Sequence, residues 1–380
     1  MTAPDGRRPL RIAMLAPPWI PVPAPAYGGI EEVVRLLCDG LVRRGHAVTL
    51  FAPPGSDSPA EVVAVLDAPH PDQIQLAQFE ADHVARAFGR IDAAAERGEP
   101  FDVIHDHVGH TALAMADRIA TPLVHTLHGP FTDDATRFYA EHGPKATIVA
   151  ISQAQLDDAP PAMGGGRVVH NPIDCGEWPY REEKDDFLLW IGRMSPDKGP
   201  HRAIAAAREA GAPLVLAGPV QPGQEAFFER EIEPALGRDG IEYDGEADAE
   251  RKRELYQHAR ALLMPIRWPE PFGLVMVEAL ACGTPVIAFP EGSAPEVVRD
   301  GETGFVVEDE HAMARAVSRL PEIDPAACRR ACEERFGVGA VVRGYEAVYA
   351  EAIGLSASRP RPRPPRPAAA ESGAARRQSR

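Results

Sequence analysis

Residues 265–289, PIRWPEPFGLVMVEALACGTPVIAF, decide the fold of this chain. An apolar strand leads into a Pro-Phe-Gly turn, an apolar helix is predicted over residues 274–281, and a Gly-Thr-Pro turn opens another buried strand. Glu270 precedes the first turn, and Glu278 falls about one turn into the helix. Two carboxylates therefore flank a helix N-terminus, whose unpaired N–H groups and partial positive charge suit a phosphate.

This arrangement predicts a nucleotide-sugar site. We expect Glu270 to accept hydroxyls of a sugar and Glu278 to accept the vicinal hydroxyls of a ribose. A simpler alternative is that both glutamates belong to a solvated helix face. The residues predicted to bind the nucleotide sugar in this stretch are Glu270, Phe272, Gly273, Leu274, Val275 and Glu278.

The spacing Glu-x7-Glu, followed by Gly283-Thr284-Pro285-Val286, resembles the signature of glycosyltransferase family 4. The resemblance covers about residues 10–350. It implies the α/β fold called GT-B: two Rossmann-like, doubly wound domains face each other across a cleft, and a C-terminal helix crosses back to the first domain. It also implies transfer of a hexose-like sugar from a nucleoside diphosphate to an acceptor hydroxyl, with retained anomeric configuration.

Strand-like and helix-like segments alternate twice, which predicts two parallel sheets with helices on both faces. We predict an acceptor domain over residues 1–170, a donor domain over 171–337 and a crossover helix over 338–355. Residues 170–185 are the predicted hinge. The predicted strands are 12–16, 47–52, 102–105, 123–127 and 147–151, then 187–191, 214–217, 241–243, 261–264 and 286–289, and the predicted helices include 30–44 and 73–97.

Length and composition predict a globular protein of two domains. The chain has 380 residues, 44% of them hydrophobic, and no apolar run is long enough to cross a bilayer. The five cysteines are scattered without metal-ligand spacing, which is typical of reduced thiols in a cytoplasm. We therefore expect a cytoplasmic protein.

The net charge of −16 is unevenly distributed. Residues 356–380 carry seven arginines and one glutamate, a net of +6, so residues 1–355 carry −22. A strongly acidic body argues against nucleic-acid binding. The Arg/Pro-rich tail, 356–380, is predicted to be disordered. It is a solvated appendage, or it makes weak contact with an anionic membrane surface or with the protein's own acidic body.

Two cations follow the first predicted strand of the second domain. Arg193 comes directly after that strand, and Lys198 stands five residues further on, beside Asp197. Arginine can bind a diphosphate through two N–H groups, and lysine acts as a point charge. This pattern is similar to the diphosphate motif of the family, so both residues are predicted to bind the nucleotide sugar and to act in catalysis.

In the first domain, Gly28-Gly29 stands just before a predicted helix and offers backbone N–H groups to an anion. Turn geometry alone also explains such a pair. The resemblance implies that these glycines lie near the diphosphate of the nucleotide sugar. Trp19 and Tyr27 of the same loop line an acceptor pocket or simply pack the loop.

The histidines of the first domain allow three interpretations. His128-Gly129 matches the family position at which a histidine contacts the transferred sugar, so His128 is a predicted catalytic residue; alternatively, it is structural. His105 and His107 have the i, i+2 spacing of metal ligands on one side of a strand, but no third ligand stands at convincing spacing. We predict no metal and no cofactor.

The predicted catalytic residues are thus His128, Arg193, Lys198 and Glu270. No carboxylate suits a covalent intermediate, since Glu270 is better placed for sugar hydroxyls, so we favour front-face substitution with uridine diphosphate as carrier. The alternatives are a GT-B phosphorylase and a non-catalytic protein that binds sugar nucleotides. The acceptor, a lipid, a glycan or a natural product, is not determined. Relatives often have serine just after Pro265, where this chain continues with Ile266-Arg267-Trp268.

Overall fold

The computed structural model of this protein describes residues 8–25, 28–74 and 76–357. These residues form two separate sheets in which every pairing between strands is parallel. The first sheet has the order β3-β2-β1-β4-β5-β6-β7 and comprises β1 Arg11–Leu15, β2 Ala47–Phe51, β3 Glu61–Val63, β4 Val103–Asp106, β5 Leu123–Thr126, β6 Thr147–Ala150 and β7 Arg167–Val168. The second sheet has the order β10-β9-β8-β11-β12-β13 and comprises β8 Leu188–Ile191, β9 Leu214–Ala217, β10 Ile241–Gly245, β11 Ala261–Met264, β12 Val286–Ala288 and β13 Gly304–Val306.

Helices connect the strands within each sheet. Those of the first half are α1 Gly29–Arg43, α2 Ala77–Glu96, α3 Thr111–Ala114, α4 Asp133–His142 and α5 Gln153–Asp157. Those of the second half are α6 Pro200–Ala210, α7 Glu225–Phe227, α8 Ala249–His258, α9 Leu274–Ala281, α10 Ala294–Val297, α11 Glu310–Val317 and α12 Pro325–Arg335, and the chain then forms α13, Val338–Ala357. No helix within the described ranges combines the length and apolarity needed to span a bilayer.

The two-sheet α/β fold agrees with the sequence prediction, and the differences are local. Strands β3, β7 and β13 were not predicted, because each has only two or three residues and shows no usable periodicity. The helix predicted over 73–97 begins only at Ala77, since Pro71 opens a separate 3₁₀ turn that ends at Gln73. Apart from its first two residues, the tail predicted as disordered lies outside the described residues, and so does Tyr27.

The strand orders bring the predicted site residues to two crevices. The order reverses between β1 and β4 in the first sheet and between β8 and β11 in the second. In open α/β sheets, ligands bind beyond the carboxyl ends of the strands at such a reversal. Arg193 and Lys198 follow β8 and Glu270 follows β11, while Gly28 and Gly29 follow β1. The topology itself therefore places these loops at ligand-binding positions.

Helix α13 completes the core of the first sheet. Apolar side chains of α13, among them Val341, Val342 and Tyr349, are buried in a cluster with β1, β2 and α1. Glu346 of this helix accepts hydrogen bonds from Arg44, at 2.9 Å, and contacts the ring of His46 at 3.0 Å. The C-terminal helix thus packs on the first domain, as the GT-B fold requires.

The chain passes between the two sheets at two adjacent points. The N–H of Ile173 donates to the carbonyl of Phe336 at 2.9 Å, so the outgoing and returning segments are paired. Beside this crossing, Glu296 of α10 reaches the first half of the chain. Its carboxylate accepts the N–H of Gln153 at 2.7 Å and contacts Nε2 of His170 at 2.6 Å. These contacts fix the two sheets across the cleft.

The docking of α13 on α1 generates a prediction for Gly40. A Cβ atom there would lie 2.6 Å from Cγ2 of Val342 and 2.7 Å from Cγ1 of Val338. Since overpacking a buried contact costs about 1–3 kcal/mol, we expect Gly40→Ala to lower the free energy of unfolding despite alanine's higher helix propensity. Denaturant unfolding of the variant measures this.

Gly89 provides the matched control, because it lies inside α2 with no atom within 4 Å of an added Cβ. Gly89→Ala should therefore stabilise the protein by about 0.5–1 kcal/mol through helix propensity alone. Equal stabilisation by both substitutions would show that α13 does not pack closely on α1.

Candidate active site

The loop between β11 and α9 is held in one conformation by its neighbours. Gly292 has φ of +52°, and a Cβ atom there would lie 2.3 Å from the carbonyl oxygen of Glu270, so only glycine fits this approach. The next residue, Ser293, is fully buried; its N–H donates to the carbonyl of Glu270 at 3.0 Å, and its hydroxyl donates to that of Phe272 at 2.7 Å. Glu270 is therefore presented from a rigid backbone.

The side chains of Glu270 and Lys198 meet in the second domain. The Lys198 ammonium donates to Oε2 of Glu270 and lies 4.4 Å from the ring centre of Trp268. A cation over an indole face is attracted by the ring quadrupole, which adds to the ion pair. The structure thus joins the predicted diphosphate cation to the predicted sugar-binding carboxylate, with Trp268 as a support that the sequence did not reveal.

The loop that carries Lys198 is bound to the loop after β11 through Arg202. The guanidinium of Arg202 donates to the carbonyls of Pro265, at 2.7 Å, and Pro196, at 3.0 Å. Gly199, at φ of +75°, lets the two loops touch, because a Cβ there would lie 2.3 Å from the carbonyl oxygen of Pro265. These contacts fix the position of Lys198 relative to Glu270.

Arg193 is held more loosely than Lys198. Its side chain is 48% exposed, its Nη1 lies 3.5 Å from Oε1 of Gln221, and its Nη2 lies 3.9 Å from Oδ2 of Asp197. Such long contacts leave the guanidinium free to turn toward an anion. The structure therefore places Arg193 at the mouth of the crevice without bringing it into contact with Lys198 or Glu270.

Glu278 lies on α9 with both carboxylate oxygens bonded. Lys252 donates to its Oε1 at 2.6 Å, and the hydroxyl of Tyr256 donates to its Oε2 at 3.0 Å. The residue is 8% exposed. Because an ionised carboxylate has about four acceptor positions, each oxygen can still accept a ribose hydroxyl. The sequence did not reveal Lys252 and Tyr256, which come from the preceding helix α8.

The helix N-terminus between the two glutamates is formed as predicted over Leu274–Ala281. Gly273 caps it in a left-handed conformation, with φ of 73°, so the N–H groups of Leu274 and Val275 open the helix. Phe272 is different, because its ring is 2% exposed and packs against Phe336 at 5.7 Å. Its carbonyl already accepts the hydroxyl of Ser293, so Phe272 supports the loop by packing, and its predicted contact with the nucleotide sugar stays a prediction.

The first-domain glycines lie beside an unexpected acid. Gly28 precedes α1 in an extended conformation, and a Cβ there would lie 2.7 Å from a carboxylate oxygen of Glu31. Burial raises the pKa of Glu31. The contact of Gly28 and Gly29 with a diphosphate stays a prediction. Trp19 of the preceding loop is 7% exposed, in agreement with a packing role.

The histidines at the carboxyl ends of β4 and β5 bond to protein groups. His105 contacts Thr126 at 2.9 Å and the hydroxyl of Tyr349 at 2.7 Å. Nδ1 of His107 lies 2.9 Å from Nε2 of His128. In the part of the chain that the structure describes, no three His, Cys, Asp or Glu side chains are grouped so as to hold a metal.

A small pocket spans the cleft between the two domains. It is lined by Phe131 and Asp158 from the first domain and by Pro269, Glu270 and Pro271 from the second. The pocket lies next to the carboxylate that Lys198 holds. Its two acids, Asp158 and Glu270, offer hydroxyl-accepting groups close to the ion pair.

Comparison with known proteins places both halves of the chain in related families. Residues 27–177 match the family described as Glycosyltransferase Family 4, and residues 178–334 match Glycosyl transferases group 1. Glycogen synthase of Mycobacterium tuberculosis is 27% identical, over 84% of this chain and 88% of its own. D-inositol 3-phosphate glycosyltransferase of Streptomyces bingchenggensis is 28% identical, over 92% of this chain and 90% of its own.

A solved structure agrees with these matches. AviGT4, a glycosyltransferase involved in avilamycin A biosynthesis, superimposes with a TM-score of 0.67 at 27% identity, over 91% of this chain and 99% of its own.

The position of Glu278 generates a binding prediction. If its carboxylate accepts ribose hydroxyls, Glu278→Gln should weaken the binding of uridine diphosphate roughly tenfold or more, since a hydrogen bond to a charged group contributes about 1.5–3 kcal/mol. Isothermal titration calorimetry on the folded variant measures the affinity.

Tyr256→Phe is the control, because it removes a neighbour of Glu278 but leaves the carboxylate in place. The affinity of Tyr256→Phe for uridine diphosphate should change much less than that of Glu278→Gln. Unchanged affinity in Glu278→Gln, or equal losses in both variants, would remove Glu278 from the ribose site.

Proposed function

The chain belongs to glycosyltransferase family 4 and has the GT-B fold, and we propose that it transfers a hexose-like sugar from uridine diphosphate to an acceptor hydroxyl with retention and without a metal. The contact between Lys198 and Glu270 carries this proposal. It puts a cation suited to a diphosphate beside a carboxylate suited to sugar hydroxyls, next to the N-terminus of α9. A nucleotide sugar combines those two chemical groups.

The proposed reaction is a front-face substitution. The acceptor oxygen bonds to the anomeric carbon as the bond from that carbon to the diphosphate oxygen breaks, and the departing oxygen takes the acceptor proton. Negative charge grows on the leaving group, where Arg193, Lys198 and the N–H groups of Leu274 and Val275 stabilise it. These groups provide the stabilisation that a metal ion provides elsewhere.

Retention through a covalent intermediate would require a carboxylate beneath the anomeric carbon. Glu270 is bonded to Lys198, which suits contact with the sugar hydroxyls better than nucleophilic attack. His128 approaches from the first domain and is proposed to contact the transferred sugar. We therefore assign Glu270 and His128 to binding the sugar in the geometry of the transition state.

The acceptor is proposed to lie in the cleft beside Phe131, Asp158 and Pro269. This position brings its hydroxyl next to Glu270 and the sugar. A lipid, a glycan and a natural product all provide such a hydroxyl.

Arg193 and Lys198 give the proposal its kinetic prediction. If they stabilise charge on the departing diphosphate, each alanine substitution should lower kcat by about 10²–10³-fold, with a smaller change in affinity for the nucleotide sugar. The double variant should lose less than the product of the two effects, because both side chains act on one diphosphate. Steady-state transfer assays measure these changes.

Two controls support this measurement. Arg330→Ala removes a 60% exposed arginine from α12 and should leave turnover unchanged. With an activated aryl glycoside that lacks phosphate, the Arg193 and Lys198 variants should be hardly worse than wild type. Normal turnover of both variants with the nucleotide sugar would contradict the proposed function.

Removal of divalent cations gives the second prediction. Because Arg193 and Lys198 are proposed to neutralise the diphosphate, transfer should continue in excess EDTA, and added inorganic phosphate should not replace the acceptor. Complete loss of activity with EDTA, restored by a divalent ion, would overturn the metal-free mechanism.

A further inference from the structure

Four histidines lie at the carboxyl ends of the neighbouring strands β4 and β5, and their roles are not equivalent. His125 contacts Asp106 at 2.6 Å, and His105 contacts Thr126 and Tyr349. The rings of His105 and His125 together have four nitrogens, and three of these have oxygen partners within 3.0 Å. The remaining two histidines contact each other. The proposed transfer does not use this pairing.

His107 and His128 share one hydrogen bond, between Nδ1 of His107 and Nε2 of His128, at 2.9 Å. His107 is 1% exposed. Burial lowers the pKa of His107 well below its usual range and that of His128 to about 3, so both rings are neutral at physiological pH. Each neutral ring carries one proton, and the shared bond uses one of them.

The second nitrogen of each ring lies in a different environment. Nε2 of His107 is buried and has no hydrogen-bond partner. Nδ1 of His128 has no hydrogen-bond partner among the described residues, and His128, unlike His107, is partly exposed, just beyond the carboxyl end of β5. Only His128 can therefore offer its second nitrogen to a ligand.

These environments distinguish the two possible proton arrangements. If His128 donated, the proton of His107 would lie on Nε2 as a buried N–H without an acceptor. If His107 donates, its Nε2 is only an unpaired acceptor. Folded proteins tolerate an unpaired buried acceptor better than an unpaired buried N–H.

We propose that His107 is a positioning residue that donates its Nδ1–H to His128 and thereby fixes His128 as the tautomer with its proton on Nδ1. In this arrangement, His128 presents a neutral N–H group to the cleft. It can donate a hydrogen bond to a ligand oxygen and cannot accept one. On the proposed function, the sugar oxygen that contacts His128 accepts a hydrogen bond from its Nδ1–H.

The surroundings of His107 suit this role. Its backbone N–H donates to the carbonyl of Leu15 at 3.0 Å, and its ring lies 4.1 Å from the ring of His105. His105 is in turn bonded to Tyr349 of α13 at 2.7 Å. The donating nitrogen is therefore held by the sheet and, through His105, by the crossover helix.

Nitrogen-15 NMR of the full-length protein, labelled at histidine, tests the proposal directly. Long-range proton–nitrogen spectra distinguish the two neutral tautomers, and comparison with His107 and His128 variants assigns the signals. We expect His128 to carry its proton on Nδ1, both alone and with uridine diphosphate. A proton on Nε2 of His128 in the wild-type protein would overturn the proposal.

Two nearly isosteric substitutions separate positioning from structure. His107→Asn keeps an N–H group close to the position of Nδ1, whereas His107→Leu removes it. Because one neutral hydrogen bond contributes about 0.5–1.5 kcal/mol, the leucine variant should lose roughly two- to twelvefold in kcat/KM for the nucleotide sugar. The asparagine variant should retain the His128 tautomer and most of this activity.

Melting temperature and affinity for uridine diphosphate are the controls, since the nucleotide is proposed to bind the other domain. Equal losses in the asparagine and leucine variants, with an unchanged His128 tautomer in both, would mean that His107 is merely structural. The NMR result does not depend on turnover, so an absence of transfer would contradict the proposed function without affecting the tautomer assignment.

Discussion

The second-domain side of the cleft depends on the close approach of Gly292 to the backbone of Glu270. A side chain at Gly292 would overlap the carbonyl of Glu270, so the glycine lets the two segments pack and Ser293 then binds the loop with two hydrogen bonds. This fixed backbone presents the Glu270 carboxylate to Lys198. Because these residues follow β11 and β8, the ion pair joins the two loops at the reversal of strand order, where parallel sheets bind ligands.

Histidines lie at the carboxyl edge of the first sheet, and the crossover helix supports them. Tyr345 and Tyr349 of α13 contact Thr126 and His105 beneath the edge of the sheet. The same helix is buried against α1 and the apolar face of the first sheet. A helix at the far end of the sequence therefore serves both the packing of the first domain and the position of its polar edge.

Much of the fold could be predicted because local signals agreed with it. Gly273 and Gly283 bracket α9, and its bounds match the prediction; the strands with continuous apolar runs were found for the same reason. The support of the site could not be predicted, since it depends on packing between distant segments. Lys252 reaches Glu278 from another helix, and Trp268 meets Lys198 across two loops. No spacing in the sequence encodes such contacts.

The assignment of Lys198 to the diphosphate is the central claim, and nucleotide affinities test it most directly. Calorimetry would compare uridine diphosphate with uridine monophosphate on the wild-type protein and on Lys198→Ala. The wild type should prefer the diphosphate by roughly tenfold or more, because a charged hydrogen bond contributes about 1.5–3 kcal/mol. Lys198→Ala should lose most of this preference while binding the monophosphate as before. An undiminished preference in the variant would contradict the account.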